Sequence, residues 1–70
     1  MASVRLKRDV FGTMPIGQNV TAREVWGLLN RQALVTVRHA LNALVEDGRI
    51  ERSDRPFGKT QIQHLYLRRT

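Results

Sequence analysis

Residues 36–52 read "TVRHALNALVEDGRIER", and this stretch decides which fold the chain adopts. Apolar residues first recur at helical spacing, at Val37, Leu41 and Leu44. Gly48 then stands at the position where a left-handed residue commonly ends a helix. After the glycine the pattern changes to a period of two, which is typical of a strand. The stretch therefore predicts a helix that gives way to a strand within a few residues.

Three helices are predicted, over about residues 3–11, residues 22–29 and residues 33–47. The second is marked by "TARE" at residues 21–24, which pairs an N-cap hydroxyl with a glutamate three residues later and so forms a capping box. Apolar spacing predicts the buried face of each of the first two helices. These faces are Val4, Val10 and Phe11 in the first helix and Val25, Leu28 and Leu29 in the second.

A hairpin is predicted after the third helix. Its reversal is expected within "SDRPFGK" at residues 53–59, since Asp, Pro and Gly are the residue types of tight turns. Ile50 is the expected inward anchor of the first strand, whereas the second strand carries apolar residues on both sides and its inward side stays open. The pair "NV" at residues 19–20 predicts a short third strand.

This order of elements predicts a single α+β domain, a small winged helix-turn-helix in which three helices precede a two-stranded β-hairpin wing. The domain would occupy residues 1–70. Within it, residues 1–16 would form an N-terminal helix and loop, residues 21–48 the helix-turn-helix, and residues 49–68 the wing.

The charge of the chain favours a nucleic-acid partner. Its 70 residues carry 12 basic and 6 acidic side chains, a net charge of +6. Ten of the basic residues are arginine, whose planar fork matches phosphate and guanine edges. The chain has no cysteine, and its two histidines are far apart in sequence, so no metal or other cofactor is expected. No signal peptide or membrane span is expected either, which favours a cytoplasmic protein.

The third helix and the wing hold the candidate DNA-binding residues. The N-terminal half of such a helix usually reaches the bases in the major groove. Arg38 would pair with guanine and Gln32 with adenine. The alternatives are that Arg38 and His39 are solvated surface residues and that Thr36 packs or caps the helix. The wing cations would surround a tight turn and bind phosphates or enter the minor groove. The candidates are Arg31, Gln32, Val35, Thr36, Arg38, His39 and Asn42 around the helix, and Arg52, Arg55 and Lys59 in the wing.

The opening stretch also resembles the third helix and first wing strand of GntR-type winged helix-turn-helix regulators. The resemblance covers about residues 20–68 and implies that Thr36 and Arg38 contact DNA. GntR-type proteins carry a C-terminal effector-binding domain, whereas this chain ends at Thr70. We therefore expect a stand-alone domain, similar to small winged-helix proteins of fimbrial operons, plasmids and phages. The positions that match the signature are Thr36, Val37, Arg38, Ala40, Leu41, Leu44, Gly48, Ile50 and Arg52.

We expect a sequence-specific protein that binds double-stranded DNA, either a small transcriptional regulator or an accessory factor of a mobile element. Because one small domain makes a small interface with DNA, useful specificity would need a homodimer, repeated sites or a protein partner. The alternative is a winged-helix module that binds another protein without touching DNA. No small-molecule effector and no membrane partner is expected. No nucleophile–base pair, acid pair or phosphate loop suggests an enzyme.

Overall fold

The computed structural model describes residues 4–29 and 32–70 as a small α+β domain with a Cα radius of gyration of 11.5 Å. In chain order its elements are α1 (Val4–Thr13), β1 (Asn19–Val20), α2 (Ala22–Leu29), α3 (Leu34–Glu46), β2 (Glu51–Phe57) and β3 (Gln61–Leu67). The strands form one antiparallel sheet in the order β1-β3-β2. None of these helices is long and apolar enough to cross a bilayer. The order of elements confirms the predicted fold class.

The helix α3 forms the centre of the core. It ends as the sequence predicts, because Gly48 adopts a φ of 76°. The amide of Gly48 donates to the Val45 carbonyl and that of Arg49 to the Leu44 carbonyl, both at 3.0 Å, which is the hydrogen-bond pattern of a Schellman motif. The residues of α3 that pack toward α1 and α2 are at most 1% exposed and comprise Val37, Ala40, Leu41 and Leu44.

An ion pair offsets the negative charge at the C-terminal end of α3. Asp47 caps this end, where the helix dipole disfavours a carboxylate. The Nζ of Lys7, on α1, lies 2.6 Å from the Asp47 carboxylate. This ion pair joins α1 to the end of α3 through two residues that are 40 positions apart in the sequence.

The apolar face expected for α1 is partly wrong. Leu6 and Val10, four residues apart on one side, are buried, whereas Val4 is 70% exposed. At 100° per residue, the side chains of Val4 and Val10 are separated by about 120° around the helix axis, so Val4 points away from the core. Phe11 is half-buried against the core, as expected for a residue at the edge of the buried face.

The bounds predicted for α2 are confirmed, and its capping box forms. The Thr21 amide donates to the Glu24 carboxylate, and the Glu24 amide donates to the Thr21 hydroxyl, both at 3.1 Å. The predicted buried face is wrong at Leu28, which is 60% exposed. The buried stripe instead begins with Ala22 and Val25, because α2 presents this side to α1 and α3.

The wing reverses later than the turn-forming residues suggest. β2 continues through Phe57, and the turn that follows contains Gly58 with a φ of 74°. Pro56 therefore lies inside a strand, opposite Ile62. β2 is the edge of the sheet, where a proline is tolerated because one side of the strand needs no hydrogen-bond donors. The predicted short strand at residues 19–20 is confirmed as β1, paired with β3.

The inward side of β3 is settled at the base of the wing. Tyr66 is only 3% exposed, and Ile50, which precedes β2, is only 4% exposed. Ile62, on the same side of β3 as Tyr66, is 65% exposed. The outer half of the hairpin thus extends beyond the helices, and only its base belongs to the core.

The C-terminal arginines hold the sheet rather than simply solubilising it. The Arg68 guanidinium donates to the Phe11 carbonyl at 2.8 Å and lies 4.0 Å from the centroid of the Phe11 ring. It therefore adds a second hydrogen bond to a carbonyl near the C-terminal end of α1, which also accepts from the Met14 amide at 3.3 Å. The strand that precedes Arg68 pairs with both other strands. Arg69 pairs with Glu51 across the hairpin, on the exposed surface.

Arg68 is half-buried, whereas Arg69 is exposed. Arg68→Ala should therefore lower the free energy of unfolding by about 1–3 kcal/mol, as expected for the loss of a hydrogen bond from a charged group. The matched change Arg69→Ala should cost less than about 1 kcal/mol, since it removes an exposed ion pair. Urea denaturation of both variants measures the difference. Equal losses would contradict the structural role of Arg68.

Candidate nucleic-acid interface

The candidate residues of α3 lie on the helix face opposite the core. Val35 is 57% exposed, and Thr36 is half-buried on one flank of this face. Gln32, which precedes α3, is also exposed. Arg31 lies outside the described residues. The remaining candidates on this helix are all exposed and comprise Arg38, His39 and Asn42.

Helical geometry separates these side chains by direction. At 100° per residue, Val35, His39 and Asn42 fall within about 60° of one another on the outermost line of α3. Arg38 lies on the flank that faces the wing, and Thr36 lies on the opposite flank. The helix α3 therefore presents two separate surfaces. We call the line formed by Val35, His39 and Asn42 the outward ridge, and the other surface is a basic flank at Arg38 that faces the sheet.

A groove runs between α3 and the wing. It has a volume of about 770 Å³, compared with about 410 and 380 Å³ for two other concavities of the domain. We call it the α3–wing groove. Its lining comprises Thr21, Ala22, Arg23, Arg38, Asn42, Arg52, Phe57, Gln61, Ile62, Gln63, His64 and Tyr66.

The groove is basic. Arg23 at the start of α2, Arg38 on α3 and Arg52 on β2 all line it, and none of the described lining residues is acidic, although Asp54 contacts two of them, Arg52 and His64. Within the described part of the chain, neither Arg23 nor Arg38 has an ion pair or hydrogen bond. The Nε of Arg52 lies 3.5 Å from a carboxylate oxygen of Asp54. Two unpaired guanidinium groups and one weakly paired group thus converge on one space.

Arg23 was not among the residues predicted from sequence. A signal for it was present, because Arg23 stands in the first turn of a helix, where the helix dipole disfavours a cation by a few tenths of a kcal/mol. An anion bound beside this helix end would reverse that cost. The folded chain is needed to bring Arg23 beside Arg38, 15 positions later in the sequence.

The wing cations do not surround one turn as expected. Arg52 and Arg55 have opposite parity along β2 and therefore point to opposite faces of the sheet. Arg52 faces the groove, whereas Arg55 donates to the Gln63 side chain at 2.5 Å. Lys59 alone lies in the turn, about 20 Å along the strand from Arg52. The wing thus offers separate basic points at its base and at its tip.

An acid–base pair lies on the groove side of the wing. The Nδ1 of His64 is 2.7 Å from an Asp54 carboxylate oxygen, and because an ionised carboxylate only accepts, the imidazole nitrogen must donate. This hydrogen bond, and after it the charge of Arg52, lowers the pKa of Asp54. Asp54 therefore stays ionised and holds two groups of the wing in place.

A hydrogen bond joins the wing to α3. The buried Tyr66 hydroxyl donates to the Asn42 side-chain oxygen at 3.0 Å. Burial raises the pKa of Tyr66, while the nearby charges of Arg52 and Arg38 act in the opposite direction. The tyrosine therefore remains a hydroxyl donor at neutral pH, and it ties Asn42, the last residue of the outward ridge, to the sheet.

Gln32, two residues before α3, is held by a side chain of α2. The indole N–H of Trp26 donates to the Gln32 carbonyl at 2.6 Å. Trp26 is 37% exposed, so it lies at the surface of the domain rather than in its core. This bond fixes the backbone at Gln32, which is exposed and lines a concavity together with residues of α1.

The chain matches no protein-family model, no curated protein and no solved structure.

The hydrogen bond between Asp54 and His64 predicts how the pKa of Asp54 responds to substitution. A lowered pKa in the folded state means that the ionised carboxylate stabilises the fold above its ordinary pKa, and that this stabilisation is lost as the pH falls through the lowered value. In His64→Ala the pKa of Asp54 should rise back toward its ordinary value, because the largest cause is removed. Carboxyl-carbon NMR titration measures it. Arg52→Ala should move it less, and the reverse order would contradict this assignment.

Proposed function

We propose that the protein binds double-stranded DNA in a sequence-specific manner, with α3 in the major groove and the basic wing on the adjacent backbone and minor groove. The support is the α3–wing groove, which is lined by three arginines from three different elements and has no acidic residue among its described lining residues. Because Arg23 and Arg38 have no ion pair in the described residues, they can bind an anion without breaking a contact within the protein. The planar fork of arginine matches the geometry of phosphate oxygens and binds them through two hydrogen bonds.

The shape of B-form DNA explains why a groove is needed between helix and wing. The major groove is about 12 Å wide and accepts a helix, and one phosphodiester strand separates it from the neighbouring minor groove. A protein with α3 in the first groove and its wing at the second must therefore straddle that strand. The α3–wing groove would receive it, with Arg23, Arg38 and Arg52 facing the phosphates.

The outward ridge of α3 is the part that would read the bases. Val35 would contact a thymine methyl group, and His39 would donate to a purine nitrogen. Glu46, also exposed on this side near the end of the helix, repels phosphate, so the contact is confined to the part of α3 before it. Gln32 and Thr36 flank the ridge and complete the base-reading set.

This function fits a small transcriptional regulator or an accessory factor of a mobile element, acting in the cytoplasm. A single domain of this kind buries about 600–1,000 Å² of protein surface on DNA. Specific action would therefore involve a second copy, repeated sites or a protein partner. The outer wing also exposes two apolar side chains, Phe57 and Ile62, which are 56% and 65% exposed and line the α3–wing groove beside the arginines.

Those two side chains also favour the alternative function, a winged-helix module that binds another protein and does not touch DNA. Salt dependence separates the two functions. The logarithm of the DNA-binding constant falls with the logarithm of salt concentration by about 0.9 per neutralised phosphate. Four contacts, from Arg23, Arg38, Arg52 and Lys59, give a slope of about −3.6.

The first experiment is a titration of labelled random-sequence duplex DNA with the protein, followed by fluorescence anisotropy at several salt concentrations. We expect micromolar or tighter binding at low salt and a slope between about −3 and −4. Lys59→Ala should weaken binding to all sequences alike and make the slope shallower by about one. Absence of binding at low salt would contradict the DNA-binding function and favour the protein module.

Substitutions of two neighbouring residues of α3, Arg38 and His39, distinguish a contact with the DNA backbone from a contact with the bases. Arg38→Ala should weaken binding to random DNA and to a selected preferred site by the same factor, and make the slope shallower by about 0.9, because it removes a phosphate contact. His39→Ala should cost about 1–3 kcal/mol on the preferred site only and leave the slope nearly unchanged. If Arg38→Ala instead acts only on the preferred site, Arg38 pairs with guanine, as the sequence suggested.

A further inference from the structure

We propose that Asn42 is a ligand for a DNA backbone phosphate and that Tyr66 positions its amide for this contact. This inference rests on the proposed function and assigns a role to the residue of the outward ridge that lies nearest the wing. The sequence predicted Asn42 as a DNA-binding residue without assigning it a particular contact.

The hydrogen bond between Tyr66 and Asn42 gives the amide a direction. The tyrosine is 3% exposed, so its hydroxyl needs a partner inside the fold, and the Asn42 oxygen supplies it at 3.0 Å. The other end of the amide is an NH₂ group with two donors. Among the described residues this NH₂ group has no hydrogen-bond partner.

The surroundings of Asn42 favour an anion over a base edge. Asn42 lines the α3–wing groove together with Arg38 and Arg52, whose charges also act on Tyr66. Arg38 precedes Asn42 by one helical turn and lies on its wing side. An amide that presents only donors among arginines complements a phosphate oxygen, which only accepts. An adenine edge would also require the amide oxygen, which already accepts the tyrosine proton.

The bond to Tyr66 also reduces the cost of ordering the side chain. An exposed asparagine samples several rotamers, and its amide presents the oxygen as readily as the nitrogen. The oxygen would repel a phosphate. By holding the oxygen on the sheet side, Tyr66 keeps the donor end available before DNA arrives, which is pre-organisation. A wing residue thus sets the polarity of a helix residue 24 positions earlier in the sequence.

The test measures the affinity of four proteins for a selected preferred duplex and for random duplex DNA: Asn42→Ala, Asn42→Asp, Tyr66→Phe and the double variant Tyr66→Phe with Asn42→Ala. Asn42→Ala should weaken both complexes about tenfold, as for a hydrogen bond to a charged acceptor. Its salt slope should stay at the wild-type value, because asparagine carries no charge. Asn42→Asp keeps the acceptor for Tyr66 and should weaken both complexes more, because a carboxylate repels phosphate.

Tyr66→Phe should weaken both complexes by a smaller factor, about threefold, since the amide is no longer held. In the Asn42→Ala background the same change should have no effect, because the residue it positions is absent. Asn42 is exposed, so water replaces the lost hydroxyl at its oxygen, and thermal unfolding checks that each variant is folded.

Three results would overturn the inference while leaving DNA binding intact. A loss for Asn42→Ala on the preferred duplex alone would make Asn42 a base-reading residue. An undiminished affinity for Asn42→Asp would remove it from the interface. An equal loss for Tyr66→Phe in both backgrounds would show that Tyr66 does not act through Asn42. If the wild-type protein binds neither duplex, the proposed function fails and this inference fails with it.

Discussion

The burial of one side of α3 is the interaction on which the rest of the structure depends. Its apolar stripe packs toward both other helices and fills the centre of a domain too small for a second core. Because that side is committed, the opposite side of the same helix must face outward. The ridge that would read bases is therefore a direct consequence of how the core is filled.

The end of α3 then fixes where the wing begins. The left-handed Gly48 reverses the chain within one residue, and Ile50 is buried two residues later, so the wing leaves the domain from a defined point. The ion pair between Lys7 and Asp47 holds the same end of the helix against α1. At the other end of the wing, Arg68 fixes the last strand to α1 through Phe11. Both ends of the hairpin are anchored, and its outer half is left exposed.

The charges of the chain divide into two groups with different roles. Lys7, Arg68 and Arg69 all bind groups within the protein. Arg23 and Arg38 have no such partner in the described residues and line one groove. Net charge alone treats these groups as equal. Arg23 and Arg38 can therefore bind a phosphate without breaking a contact within the protein, and this difference gives the groove its proposed role.

The sequence by itself determined the order of elements, the bounds of α2 and α3, the capping box at Thr21 and the glycine that ends α3. These features depend on residues within a few positions of one another, so local pattern and turn chemistry are sufficient to predict them. It did not determine that Leu28 is exposed or that the wing turns after Phe57, because both depend on which neighbours the fold supplies. Only the tertiary structure decided that Arg23 joins Arg38 and that Tyr66 holds Asn42. Each of these pairs comes from different elements, and their distance is set by packing rather than by spacing in the chain.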